Sequence, residues 1–163
     1  MIVYHGSTEI IKNSDVIHSK KYLDFGRGLY ITTFENQAKK WTVRKGMRQE
    51  KAAIVNVYEL SEAWDDFKIL SFEKENEKWL DFVCACRKGQ PLNKEYDIII
   101  GNVADDDVFK TVDMYFRGLW DKEKVLVELR YYKMNNQICI VNQETLNRLV
   151  TFKRAYEVEN NGR

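Results

Sequence analysis

Apolar and polar positions alternate along this 163-residue chain in short stretches, and few runs are long enough to hold one period. Ile2-Val3-Tyr4-His5 leans to β structure and is stopped by Gly6-Ser7, so it reads as an opening strand. A polar stretch follows, with Asn13-Ser14-Asp15 as a turn and Val16-Ile17 as a short extended piece. Gly26 and Gly28 then bracket Arg27, ahead of the strand formers Leu29-Tyr30-Ile31-Thr32-Thr33. Thr32-Thr33-Phe34-Glu35 has the Thr-x-x-Glu form of a capping box, which predicts a helix with Ala38 and Trp41 on one face.

Ala53 to Leu60 is the clearest strand, almost all β-branched, aromatic or apolar. From Glu75 the period lengthens: Trp79, Phe82, Val83 and Cys86 fall three and four apart on a helix that Gly89 and Pro91 close. Tyr96 to Val103 is short and apolar enough for a buried strand. Asp105-Asp106-Asp107 then caps a helix with Val108, Val112, Tyr115 and Phe116 inward. A further helix is predicted over 122–132, a strand over 137–141, a short helix over 143–149 and a last extended segment over 150–158. Without a regular strand–helix–strand alternation the fold class is α+β, in one domain over 1–158 with a polar tail at 159–163.

Composition narrows the classes. A formal net charge of +1 gives no reason to expect a polyanionic partner, so nucleic acid is not indicated. The basic run Lys39-Lys40, Arg44-Lys45 and Arg48 is spread around a solvated face by helical spacing. The first residues have no basic leader or long apolar run, and the expectation is a cytoplasmic protein without a membrane partner. Cys84, Cys86 and Cys139 lack zinc spacing and read as reduced, mostly buried thiols, with no metal site.

Two segments carry candidate chemistry. A strand ending in Tyr4-His5-Gly6-Ser7 puts an imidazole at a sheet edge, beside a glycine that lets a ligand approach the backbone. An amide such as nicotinamide is matched by a backbone segment offering one N–H and one C=O. About twenty residues later, Phe25-Gly26-Arg27-Gly28-Leu29-Tyr30-Ile31 feeds glycines into a strand. No strand–Gly-x-Gly-x-x-Gly–helix unit surrounds it, which excludes the dinucleotide-binding reading.

His-Gly-Ser, then Phe-Gly-Arg-Gly-Leu-Tyr-Ile, then a helix bearing an aromatic resembles the ADP-ribosyltransferase superfamily, in its PARP and diphtheria-toxin branch. It looks closest to an uncharacterised bacterial domain-of-unknown-function family, number 3990, within that superfamily. The resemblance implies a split pair of mainly antiparallel sheets with flanking helices, and NAD⁺ as the substrate. It implies that His5 bonds the adenine-side ribose and that Gly6 holds the nicotinamide amide through its backbone. Tyr30 and Trp41 would stack on the nicotinamide ring, while Ser7, Arg27 and Gly28 would lie toward the phosphates. The cationic pyridinium favours aromatic faces, and positive charge developing on the ribose favours an acceptor already in place.

The family's late strand bears a glutamate, and here that position is Gln137. A glutamine carbonyl keeps the hydrogen bond to a ribose hydroxyl but supplies a dipole in place of a charge. Losing a charge-assisted contact in a dry site costs about 2–4 kcal/mol of transition-state stabilisation. Restoring glutamate is therefore expected to keep or increase NAD⁺ hydrolysis. One carboxylate of the 105–107 cluster could compensate, with Asp106 as the choice. The expected activity is mono-ADP-ribosyl transfer to an unknown macromolecular or small-molecule acceptor, in an intracellular toxin or effector with a candidate antitoxin partner. The alternatives are a catalytically weak NAD⁺ or ADP-ribose-binding module, and a plain α+β interaction domain.

Overall fold

A computed structural model describes residues 1–20, 22–103, 106–129 and 135–159, apart from the side chains at 106, 107 and 109. The first sheet is built from β1 (Ile2–Ser7), β3 (Ile54–Leu60) and β7 (Val150–Glu157), antiparallel in the order β1-β3-β7. The second has the order β2-β6-β5-β4, from β2 (Leu29–Ile31), β6 (Gln137–Ile140), β5 (Ile98–Gly101) and β4 (Ile69–Ser71). Its pairings are antiparallel except β4–β5, which is parallel. The fold is therefore α+β, with two mostly antiparallel sheets.

Strand alternation sorts the side chains into three cores. Leu29, Ile31, Ile98, Ile138 and Ile140 leave the second sheet on one side and meet Val3, Tyr58 and Leu60 of the first. Cys139 and Ile99 leave it on the other side, where they pack with Trp79, Leu80 and Val83 of α2 (Glu77–Arg87). Val108 and Val112 of α3 (Asp106–Phe116) and Val125 and Leu129 of α4 (Lys122–Leu129) complete that core. α1 (Glu35–Gln49) covers the outer face of the first sheet through Ala38, against Val55 and Val57. α5 (Gln143–Leu149) precedes β7 and gives Leu146 and Leu149 to the first core.

The helix over 143–149 and the strands in 53–60, 96–103, 137–141 and 150–158 lie where the pattern predicts them. Three readings change and one strand is added. α1 has no side-chain cap: its N-cap is Phe34, and Thr32 instead forms a bridge with Tyr4. Val16-Ile17 is irregular rather than extended. β4 carries no sequence signal, because three residues are too few to show a period. Phe116, expected to face inward, is 37% exposed at the end of α3. The predicted helix over 122–132 is seen to Leu129, and its remaining positions lie outside the described residues.

Candidate functional site

Among the described residues, the backbones of the two sheets are joined at the Tyr4–Thr32 bridge. Tyr4 N–H donates to Thr32 C=O at 2.8 Å and Thr32 N–H returns a bond to Tyr4 C=O at 2.9 Å. Because the bonding direction of a strand alternates with period two, Gly6 turns its own N–H and C=O to the same side as Tyr4. That side faces away from β3, and β1 and β2 no longer pair there, since the Tyr4–Thr32 bridge is isolated. One donor and one acceptor of Gly6, a buried residue, thus point to the side where the sheets part and β1 has no paired strand.

The other side chains of the opening strand frame that gap. His5 Nδ1 lies 2.6 Å from Tyr30 C=O, and since a carbonyl can only accept, Nδ1 carries the proton. Burial holds the imidazole below its ordinary value of 6.5, partly offset by that bond, with the Lys45 charge lowering it further. The neutral ring then leaves Nε2 as an acceptor for a hydroxyl. Across the face of β1, α1 presses on Gly6 so closely that an added Cβ would lie 2.7 Å from Ala38 O and 3.1 Å from Trp41 Cδ1. The glycine is therefore required by helix packing, and the space above its Cα belongs to α1, not to a ligand. Trp41, beside it, remains 52% exposed.

Ser7 is buried, its hydroxyl accepting from Glu9 N–H at 3.4 Å and its carbonyl from Thr42 Oγ1. It faces the chain rather than an open phosphate position. Arg27 is exposed, and its carbonyl accepts from Asn93 Nδ2 at 3.2 Å. Gly26 takes φ +73°, the left-handed region that glycine tolerates. Gly28 has another constraint: a Cβ there would lie 2.5 Å from Cys139 Sγ and 2.6 Å from Ile140 O, so the position is set by contact with β6.

Tyr30 locks the same turn. Its hydroxyl donates to Gly26 C=O at 2.5 Å and accepts from Phe25 N–H at 2.9 Å, and its ring stacks on Phe25 with centroids 6.4 Å apart. Burial pushes the phenol well above its ordinary value. The Phe-Gly-x-Gly-x-Tyr spacing thus closes on itself, and only the half-buried ring surface of Tyr30 is left for a ligand.

Gln137 opens β6 opposite Gly101 and is buried. Its Nε2 donates to Asp24 Oδ2 at 3.2 Å and to Asn102 C=O at 3.3 Å. Asp24 also accepts from Arg87, at 3.0 Å from Nε and 2.5 Å from Nη2. The carboxylate beside Gln137 is therefore Asp24, which sequence reasoning passes over. α3 begins at Asp106, whose side chain, like Asp105 and the side chain of Asp107, lies outside the described residues.

Asn136 is the other residue without a sequence signal. Its Oδ1 accepts from Thr32 Oγ1 at 2.9 Å and Thr33 N–H at 3.1 Å, and its backbone carbonyl accepts from Gln37 Nε2 at 2.8 Å. That clip ties the β2–α1 corner to the start of β6, and so holds Trp41 and Gln137 on one framework.

The family described as "Protein of unknown function (DUF3990)" matches residues 1–152. The chain belongs to the DUF3990 family. The match spans His5, the Gly26–Tyr30 turn, Trp41 and Gln137 together, so the framed gap lies wholly inside the family's domain. Neither a curated protein nor a solved structure matches the chain. Among the described residues no helix is long and apolar enough to cross a membrane. Two surface cavities, of 390 Å³ near Asp15 and Phe152 and of 430 Å³ near Asn76 and Asp81, lie away from the gap.

Proposed function

We propose that this DUF3990 protein is an NAD⁺-dependent mono-ADP-ribosyltransferase of the ADP-ribosyltransferase superfamily. The reading is carried by the backbone donor–acceptor pair of the buried Gly6, turned to the side of β1 that has no paired strand there, near the exposed Trp41. A primary amide such as nicotinamide satisfies such a pair with two hydrogen bonds. The Trp41 face, with the remaining ring surface of Tyr30, suits a cationic pyridinium. His5 Nε2 accepts a hydroxyl of the adenine-side ribose, and exposed Arg27 can meet the diphosphate as Gly28 holds its turn.

The reaction breaks the bond between the nicotinamide nitrogen and ribose C1′, and the electron pair leaves with nicotinamide. C1′ passes through an oxocarbenium-like state and bonds to the acceptor's nucleophilic atom, which gives up its proton. Gln137 contributes a carbonyl dipole to the 2′-hydroxyl. An intracellular toxin or effector role fits a transferase that modifies one acceptor once.

Incubation with labelled NAD⁺ and cell lysate tests the reading. It predicts nicotinamide release with label on a discrete acceptor, and His5→Ala and Tyr30→Ala should abolish both. NAD⁺ binding without release would favour the second reading, a nucleotide-binding module. That reading draws on the neutral amide of Gln137, buried where the superfamily's enzymes carry a charge.

A further inference from the structure

We propose that Asp24 is the positioning residue for Gln137, and that its carboxylate is what makes glutamine rather than glutamate fit this place in the fold. The amide of a glutamine has a donor end and an acceptor end, and the two Gln137 neighbours decide which is which. Asp24 Oδ2 at 3.2 Å and Asn102 C=O at 3.3 Å can only accept, so the NH₂ must face both. Oε1 is thereby turned the other way, and among the described residues nothing donates to it. The side chain is buried at the start of β6, and its donor end is held from two elements distant in sequence. Arg87 of α2 holds Asp24 in turn, with side-chain exposures of only 12% and 11% for the pair.

A glutamate in place of Gln137 would meet this arrangement with the wrong charge. Its second oxygen would stand where the NH₂ now donates, close to 3 Å from Asp24, and two carboxylates at that distance in a dry site repel. Restoring the superfamily's glutamate in this chain therefore does not restore its site. A donor at position 24, as asparagine can be, removes the Asp24 half of that repulsion, while the Asn102 carbonyl still faces position 137. The polarity of the pair then reverses: in the double variant the new amide at position 24 donates to the new carboxylate at position 137. The catalytic part of this inference rests on the NAD⁺ reading. The pairing itself does not.

Wild type, Asp24→Asn, Gln137→Glu and the double variant are compared by thermal unfolding at one neutral pH. The expectation is a fall in Tm of about 5 °C or more for Gln137→Glu. Asp24→Asn also takes the partner from Arg87, so the mark of the pairing is coupling: the double variant should unfold at least about 2 °C above the temperature that the sum of the two single losses predicts. Simple additivity of the two changes, or a Gln137→Glu chain as stable as wild type, overturns the pairing. Should the single variants fail to fold, the wild-type chain still decides. The Gln137 side-chain NH₂ must exchange slowly with solvent in an NMR experiment, and exchange at the rate of an exposed amide refutes the contact.

For the catalytic role, Asp24→Asn alone should lower the turnover of nicotinamide release about tenfold, with KM changed less than about threefold. The double variant should regain rate relative to Gln137→Glu. A parallel rise in KM refutes the positioning role. A wild-type chain that releases no nicotinamide removes the catalytic part and the NAD⁺ chemistry together, while the unfolding cycle still judges the pairing.

Discussion

Gly6→Ala adds one methyl group where the structure leaves no room. The new Cβ would stand 2.7 Å from Ala38 O and 3.1 Å from both Thr42 Cβ and Trp41 Cδ1. A carbonyl oxygen of helix backbone cannot rotate away, so α1 itself must move off the first sheet. Inserting a methyl into a packed site costs about 1–3 kcal/mol. Gly6 lies in a regular strand without a positive φ, so alanine also narrows the unfolded ensemble, which returns about 0.4–1 kcal/mol. The net loss is therefore up to about 2.6 kcal/mol, with a midpoint of about 1.3 kcal/mol and a drop of about 3–5 °C in Tm for a domain of this size. Urea unfolding followed by circular dichroism measures it, and NAD⁺ titration of the folded variant measures the second consequence. Moving α1 carries Trp41 away from the Gly6 backbone, so binding should weaken as well. A Gly6→Ala chain of unchanged stability would refute the packing argument. Unchanged affinity together with reduced stability would separate Trp41 from the site.

Trp41→Ala should do the opposite to the balance: with half the indole exposed, stability should fall by less than about 1 kcal/mol, while loss of a stacking face should weaken NAD⁺ binding about five- to a hundredfold. Calorimetry on the variant checks both. His5 is held below its ordinary value of 6.5, so the unfolded chain takes up the proton first as pH falls. Its contribution to stability is complete above about pH 6.5, declines as pH drops toward the folded-state value, and is flat below it. Urea midpoints across that range should lose this step in His5→Gln. Cys84, Cys86 and Cys139 are buried free thiols, with burial pushing the Cys86 thiol up to about 12 and raising the other two. The native protein should therefore react slowly with a thiol reagent and rapidly after denaturation.

The parts legible in the sequence are those whose signal is local. β3 shows because seven consecutive residues suit a strand, and α2 because Trp79, Phe82, Val83 and Cys86 recur three and four apart, of which Trp79, Val83 and Cys86 are buried. Gly26 and Gly28 announce a turn, though the reasons for them, a left-handed φ and contact with Cys139, appear only in three dimensions. Contacts between distant segments leave no such trace. Asp24 meets Gln137 across 113 positions, and Asn136 meets Thr33 across 103. Neither residue belongs to a periodic pattern, and both sit at places where an irregular segment meets a strand end. The capping box fails for a related reason: Thr32 pairs with Tyr4 as a strand residue and the helix N-cap falls two residues later at Phe34, so the Thr32 Oγ1 accepts from the Phe34 N–H while donating to Asn136. Tyr30 is legible as a motif residue but not as the lock of its own turn, because the spacing that suggests a ligand also suits the bond to Gly26.

The claim that these residues grip NAD⁺ is tested most directly by isothermal titration of the wild-type chain with NAD⁺ at millimolar concentrations, repeated with Trp41→Ala. Saturable binding that weakens in the variant is the predicted result. No binding heat and no rise in Tm with NAD⁺ would contradict the account.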